Sequence, residues 1–144
     1  MRAVKKRILL VEDNKVQKLV SERMLVRAGY EVLWAADGEH ALSVANEQAP
    51  DLIVLDMLLP KLGGVGVLQA LKQSPATEGI PVVALSALPG SNASKIAAEG
   101  AEEYFEKSKL YAGKNGEAAL LGIIAKALQK HQRQAPTSGL HSTL

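Results

Sequence analysis

The segment Leu52-Ile53-Val54-Leu55 is continuously apolar, rich in branched side chains, and runs straight into a carboxylate at Asp56. A short apolar run without alternation suits a strand buried on both faces, as in a parallel sheet covered by helices. An acid after such a run belongs at the strand's carboxyl end rather than inside the sheet. That end is where open α/β sheets place their ligands. Pro60 and the pair Gly63-Gly64 then require a loop before the next helix. Asp56 is therefore expected at the lip of the sheet, presented to something.

The same pattern recurs along the chain. Ile8-Leu9-Leu10-Val11 is a second buried run, and it ends in Glu12 and Asp13, with Asn14 placed to cap a helix. Val16, Leu19, Val20, Met24 and Leu25 follow at helical spacing, and Gly29 stops that helix. Glu31 to Ala35 reads as a short strand in which Trp34 is core packing. Asp37-Gly38 is a turn, and Ala41, Leu42, Val44 and Ala45 mark a helix that ends before Pro50. After Gly64 a third helix carries Val67, Leu68 and Leu71. Pro81 to Ser86 is a fourth buried strand, ending in a hydroxyl. A small helix from Ala93 to Glu99 precedes a fifth strand, Glu103 to Glu106, which ends at Lys107. Ser108 to Gly116 reads as a polar connection and Ala118 to Gln132 as the last helix. Residues 1–134 thus form one domain, and Ala135 to Leu144, with Pro, Ser, Thr and Gly but no periodicity, reads as a disordered tail.

Five strands alternating with five helices give a doubly wound α/β domain around a parallel sheet, with helices on both faces. Right-handed crossovers leave few topologies, and the strand order 2-1-3-4-5 fits a chain of 144 residues. The sequence has no cysteine, which excludes disulfides and thiolate metal sites and fits a cytoplasmic protein. No apolar stretch is long enough to span a membrane. A net charge of +2, with basic residues scattered and not interleaved with aromatics, gives no nucleic-acid footprint. The three histidines have no metal-ligand spacing and read as solvated.

In that strand order, strands one, three, four and five are consecutive neighbours. Their carboxyl ends bring Glu12, Asp13, Asp56, Ser86 and Lys107 into one shallow crevice. Two like charges about 4 Å apart cost roughly 4 kcal/mol at an effective dielectric of about 20. One lysine cannot neutralise three carboxylates, so the cluster calls for a cation. Oxygen ligands without His or Cys favour a hard ion, Mg²⁺ or Mn²⁺. A carboxylate beside such an ion, a lysine and a hydroxyl is laid out to accept a phosphoryl group, with Asp56 attacking.

At these residues the chain resembles the receiver domains of two-component response regulators, the CheY-like family, from Arg7 to about Gln132. The matching pieces are ILLVEDN with Glu12-Asp13, AADGEHAL from Ala35, PDLIVLDMLLP from Pro50, Gly64, PVVALSA from Pro81 and GAEEYFEK from Gly100. The resemblance implies a flavodoxin-like fold and a signalling receiver rather than a conventional enzyme. It would catalyse its own Mg²⁺-dependent phosphorylation and slow dephosphorylation. It implies Asp56 as phosphoacceptor, Asp13 as direct metal ligand, Glu12 acting through a metal-bound water, and the Leu58 carbonyl completing the metal site. Ser86 and Lys107 would contact the phosphoryl oxygens, and Tyr104 would swing inward when Ser86 moves. The readout face would be the fourth helix, fifth strand and fifth, last helix. The partners would be a sensor histidine kinase or histidine phosphotransfer protein docking against the first helix, a downstream protein target, and in some settings a second copy of the chain.

Three departures from the family pattern stand out. Ser108 follows the lysine where proline is usual, so the loop beyond is expected to take another course. Gly63 stands where an Asp is common. Leu58 and Leu88 replace polar residues near the attacking water, which predicts slow self-hydrolysis. Two other classes compete. An α/β phosphatase with an Asp-x-Asp nucleophile would need an acid at Leu58, which cannot protonate a leaving group. A phosphorylation-independent docking module would not need the five site residues, all of which are present.

Overall fold

The computed structural model describes residues 4–58, 63–87, 93–110 and 113–143. Its strands are β1 (Arg7–Val11), β2 (Glu31–Ala35), β3 (Leu52–Asp56), β4 (Val82–Ser86) and β5 (Glu103–Glu106). Its helices are α1 (Lys15–Arg27), α2 (Gly38–Gln48), α3 (Gly63–Gln73), α4 (Ala93–Ala98), α5 (Lys107–Leu110) and α6 (Lys114–Thr143). All pairings are parallel and the order is β2-β1-β3-β4-β5, as expected from the alternating pattern.

Alternate residues of the central strands serve opposite faces, which is why their runs are uniformly apolar. Ile8, Leu10, Leu52, Val54, Val83 and Leu85 pack with Met24 and Leu25 of α1 and with Leu120, Ile124 and Leu128 of α6. Leu9, Val11, Ile53, Leu55, Val82 and Ala84 pack with Ala41 and Ala45 of α2, Val67, Leu68 and Leu71 of α3, and Ile96 of α4. Every residue of β3 and β4 is buried, Asp56 and Ser86 included. Among the described residues no helix is long and apolar enough to cross a membrane.

Local signals fix the element ends. The Asn14 side chain caps α1 by accepting from the Gln17 N–H at 3.0 Å, and Asp37 caps α2 by accepting from the His40 N–H at 2.9 Å. Gly29, at φ +100°, takes the chain out of α1.

The carboxyl-terminal third departs from expectation. The connection after Lys107 contains a short helix, α5, because Leu110 is apolar and buries itself in the core on the α1/α6 side. The last helix begins at Lys114, not Ala118. Gly116 makes this possible, since a Cβ there would overlap the Lys109 carbonyl. The backbone of α6 also continues to Thr143 rather than stopping near Gln132, where the sequence pointed to a tail from Ala135. From Lys126 to Ala135 there is no Gly, Pro or β-branched residue, and an established helix propagates easily through such a run.

Gly64 and Gly122 separate two roles of glycine in helices. A Cβ on Gly64 would collide with the Met57 backbone, with the carbonyl oxygen at 2.7 Å, whereas Gly122 faces open space. Gly64→Ala should therefore destabilise by about 1–3 kcal/mol through overpacking at the β3–α3 junction. Gly122→Ala should stabilise by roughly 0.5–1 kcal/mol by restricting the unfolded chain. Urea unfolding midpoints of the two variants should move in opposite directions.

Candidate functional site

The carboxyl ends of β1, β3 and β5 deliver four charged side chains to one place. Glu12 and Asp13 follow β1, Asp56 ends β3, and Lys107 follows β5. One carboxylate oxygen from each of Glu12, Asp13 and Asp56 lies within 4.8 Å of the others. The Lys107 ammonium bridges two of them, at 2.9 Å from Asp56 Oδ2 and 3.1 Å from Glu12 Oε1. These groups line a cavity of about 460 Å³ together with Asn14, Gln17, Leu58 and Ala87.

Asp56 does reach the lip of the sheet, but it is far less open than a strand-end acid suggests, with 2% of its surface exposed. Its two oxygens are both engaged: Oδ2 accepts from Lys107, and Oδ1 accepts from the Leu58 N–H at 3.0 Å. Glu12 is as deeply buried, at 1%. Its Oε2 accepts from the Asn14 N–H at 3.3 Å, its own N–H donates to the Ala35 carbonyl at 3.1 Å, and its carbonyl accepts from Trp34 Nε1 at 2.9 Å. Asp13 is exposed, so the three acids span the full range from core to solvent.

The electrostatics follow from this burial. Desolvation, and after it the charge of Asp56, pushes the Glu12 carboxyl from 4.5 up to about 7 against the pull of Lys107. Burial alone would lower the Lys107 ammonium. The hydrogen bonds and charges of Asp56 and Glu12 outweigh it and hold the lysine above its ordinary value. Three carboxylates with a single ammonium leave uncompensated negative charge and oxygen-only donors, a set that could bind a hard divalent cation.

Of the remaining residues named from sequence, only Leu58 is among the described residues that line this cavity. Ser86 ends β4 and is buried; it pairs in register with Glu106, the residue before Lys107. Tyr104 lies two positions earlier on β5, half-buried against the α2/α3/α4 face. Leu58 is 77% exposed at the cavity wall. Leu88 lies outside the described residues. Sequence reasoning did not anticipate that Trp34 would touch the Glu12 backbone. The available signal was an aromatic with a polar N–H at the end of the strand beside β1, since a buried indole N–H usually finds an acceptor.

The chain is similar to several known proteins. The response regulator receiver domain model matches residues 8–111. The probable transcriptional regulator ycf27 of Cyanophora paradoxa is 36% identical over 94% of this chain and 55% of its own length. The alkaline phosphatase synthesis transcriptional regulatory protein PhoP of Bacillus subtilis is 39% identical over 71% of this chain and 42% of its own. The chain thus spans about half the length of these curated relatives. Among solved structures, the receiver domain of a Pseudomonas aeruginosa sensor histidine kinase, with a magnesium ion in its active-site cleft, aligns at a TM-score of 0.75. It is 31% identical and covers 88% of this chain and 99% of that one.

The displaced Glu12 equilibrium has a measurable sign. Without metal, the folded protein keeps the Glu12 proton to higher pH than the unfolded chain does. That contribution to stability is complete below about pH 4.5 and is lost as pH rises through about 7. In chelator, urea midpoints should fall across this interval, and Glu12→Gln should flatten the fall. An equal slope in both proteins would contradict the assignment.

Proposed function

This chain belongs to the response regulator receiver domain family of two-component systems. On that footing we propose that Asp56 accepts a phosphoryl group from a phosphohistidine on a partner kinase or phosphotransfer protein. The acyl phosphate would then alter the domain's protein contacts. The observation that carries this reading is the state of Asp56: a buried strand-end carboxylate, open to a cavity, with Lys107 2.9 Å from one oxygen. In the transfer the histidine N–P bond breaks as a bond forms from a carboxylate oxygen of Asp56 to phosphorus. Lys107, already on that carboxylate, is positioned to follow the phosphoryl oxygens. Ser86 is the hydroxyl we assign to the same oxygens after transfer.

The oxygen-only donor set fits Mg²⁺, or Mn²⁺, held by Glu12, Asp13 and Asp56 together with the Leu58 carbonyl. Such an ion supplies positive charge against the phosphoryl group. The protein's own contribution is to keep Asp56 desolvated and Lys107 fixed.

The signalling half of the proposal involves two surfaces. On α1, Val16, Leu19 and Val26 are 72%, 45% and 53% exposed beside Glu22, Arg23 and Arg27, a mixed apolar and charged face suited to the phosphodonor protein. We assign the readout face to α4, β5 and α6, with Tyr104 as the residue whose position would follow Ser86.

Incubation with Mg²⁺ and acetyl phosphate should add one phosphoryl group by intact-protein mass. The adduct should be absent in Asp56→Asn and in chelator. An adduct that persists in Asp56→Asn would overturn the assignment. Lack of any adduct, with metal bound, would favour a phosphorylation-independent docking module. The Leu58 side chain offers no polar group to orient a water at the cavity wall, so the phosphorylated state should decay slowly. Leu58→Asn should shorten its half-life several-fold, and an unchanged half-life would remove Leu58 from the explanation.

A further inference from the structure

The geometry points to Trp34 as a positioning residue for the acid cluster: its indole N–H holds the Glu12 backbone so that the Glu12 carboxylate stays turned toward Asp56 and Lys107. The inference rests on the metal reading given above and deepens it.

Glu12 is gripped by two consecutive residues of β2. Its N–H donates to the Ala35 carbonyl at 3.1 Å, and its carbonyl accepts from Trp34 Nε1 at 2.9 Å. Among the described backbone hydrogen bonds of turns and loops, none is donated to the Glu12 carbonyl. Trp34 is itself held in place. It packs half-buried against the core on the α1/α6 side, and Lys18 Nζ sits 4.9 Å from the ring centroid. Lys18 is in turn tethered to Glu22 at 3.3 Å.

The restraint matters because Glu12 is under outward pressure. Its carboxylate is desolvated and lies beside other acids, so rotation toward water would relieve it. Glu12 sits just beyond the end of β1, where the sheet no longer fixes the chain on both sides, and β2 is the edge strand. A side-chain donor reaching across from that edge adds a further anchor to the Ala35 bond and to the Lys107 and Asn14 contacts of the carboxylate. Groups that orient ligands in this way typically change metal affinity about 10–100-fold when removed.

The test is calorimetric titration of the full chain with MgCl₂. Trp34→Phe keeps an aromatic ring and removes the N–H. Replacement of Trp34 by its benzothienyl analogue keeps the indole outline and also lacks the N–H, so it serves if the phenylalanine variant folds poorly. Both should bind Mg²⁺ about tenfold more weakly than wild type. Leu33→Ala, on the same strand but facing the opposite core, should lower the urea midpoint while leaving Mg²⁺ affinity within about twofold of wild type. Equal Mg²⁺ affinity in wild type and the N–H-less variants would overturn the inference while leaving the metal reading intact. Comparable weakening in Leu33→Ala would also overturn it, by showing that any loosening of β2 suffices. A wild-type chain that takes up no Mg²⁺ would overturn the metal reading and this inference with it.

Discussion

The Lys107 ammonium, 2.9 Å from Asp56 and 3.1 Å from Glu12, is the contact on which the site depends. It joins residues that lie 51 and 95 positions apart in the chain, so it exists only when β1, β3 and β5 are all in place. Two carboxylates this deeply buried would be costly without a cation between them. Truncating the lysine would leave both stranded, an effect in the range of several kcal/mol for buried pairs, about 3–5. The bridge therefore does two things. It makes burial of Asp56 and Glu12 tolerable, and it fixes the separation at which they face the cavity.

The sheet order makes this bridge possible. With β1, β3, β4 and β5 adjacent, all four carboxyl ends open on the same edge. The two apolar layers then hold the strand ends against the repulsion gathered there. Ile53 and Leu55 of β3 face α2 and α3, while Leu52 and Val54 face α1 and α6, so the strand that carries Asp56 is clamped from both sides. A site of uncompensated charge is thus mounted on the part of the fold least able to relax. Close packing of this kind has little compliance, so the acids stay crowded rather than spreading apart.

Much of this was legible in the chain itself. Uniform apolar runs identified β1, β3 and β4 as interior strands, and the acids at or just past the ends of β1 and β3 are the ones the fold gathers into one cluster. What sequence could not supply was the burial of Asp56 and Glu12, because their tolerance of burial depends on Lys107 arriving from a distant strand. The same limit explains His131. It read as solvated, yet it lies half-buried with Nε2 3.1 Å from Glu102, beside Lys130 at 3.0 Å from the same carboxylate. These partners, first His131 and then Lys130, hold the Glu102 carboxyl below its usual value. The start of α6 was misplaced for a different reason. Gly113 and Gly116 look like loop residues, but Gly116 is there to let the helix approach the Lys109 carbonyl, and composition does not distinguish the two uses.

Charge accounting ties the fold to the proposed chemistry. Before phosphorylation the cluster carries three carboxyl groups against one ammonium, and Glu12 partly relieves the imbalance by holding its proton to about pH 7. Replacing the Asp56 carboxylate by an acyl phosphate would exchange one negative charge for one approaching two, about −1.5 to −2 for phosphorylated side chains near neutral pH. The lysine cannot absorb that increase, since it is already shared between two acids. Either the neighbouring acids retain protons or a divalent cation enters, and a hydrated ion would meet Asp13 first, since it is the exposed member of the cluster. The gradient from buried Glu12 to open Asp13 is then the feature that lets one crevice be tightly preorganised and still accessible.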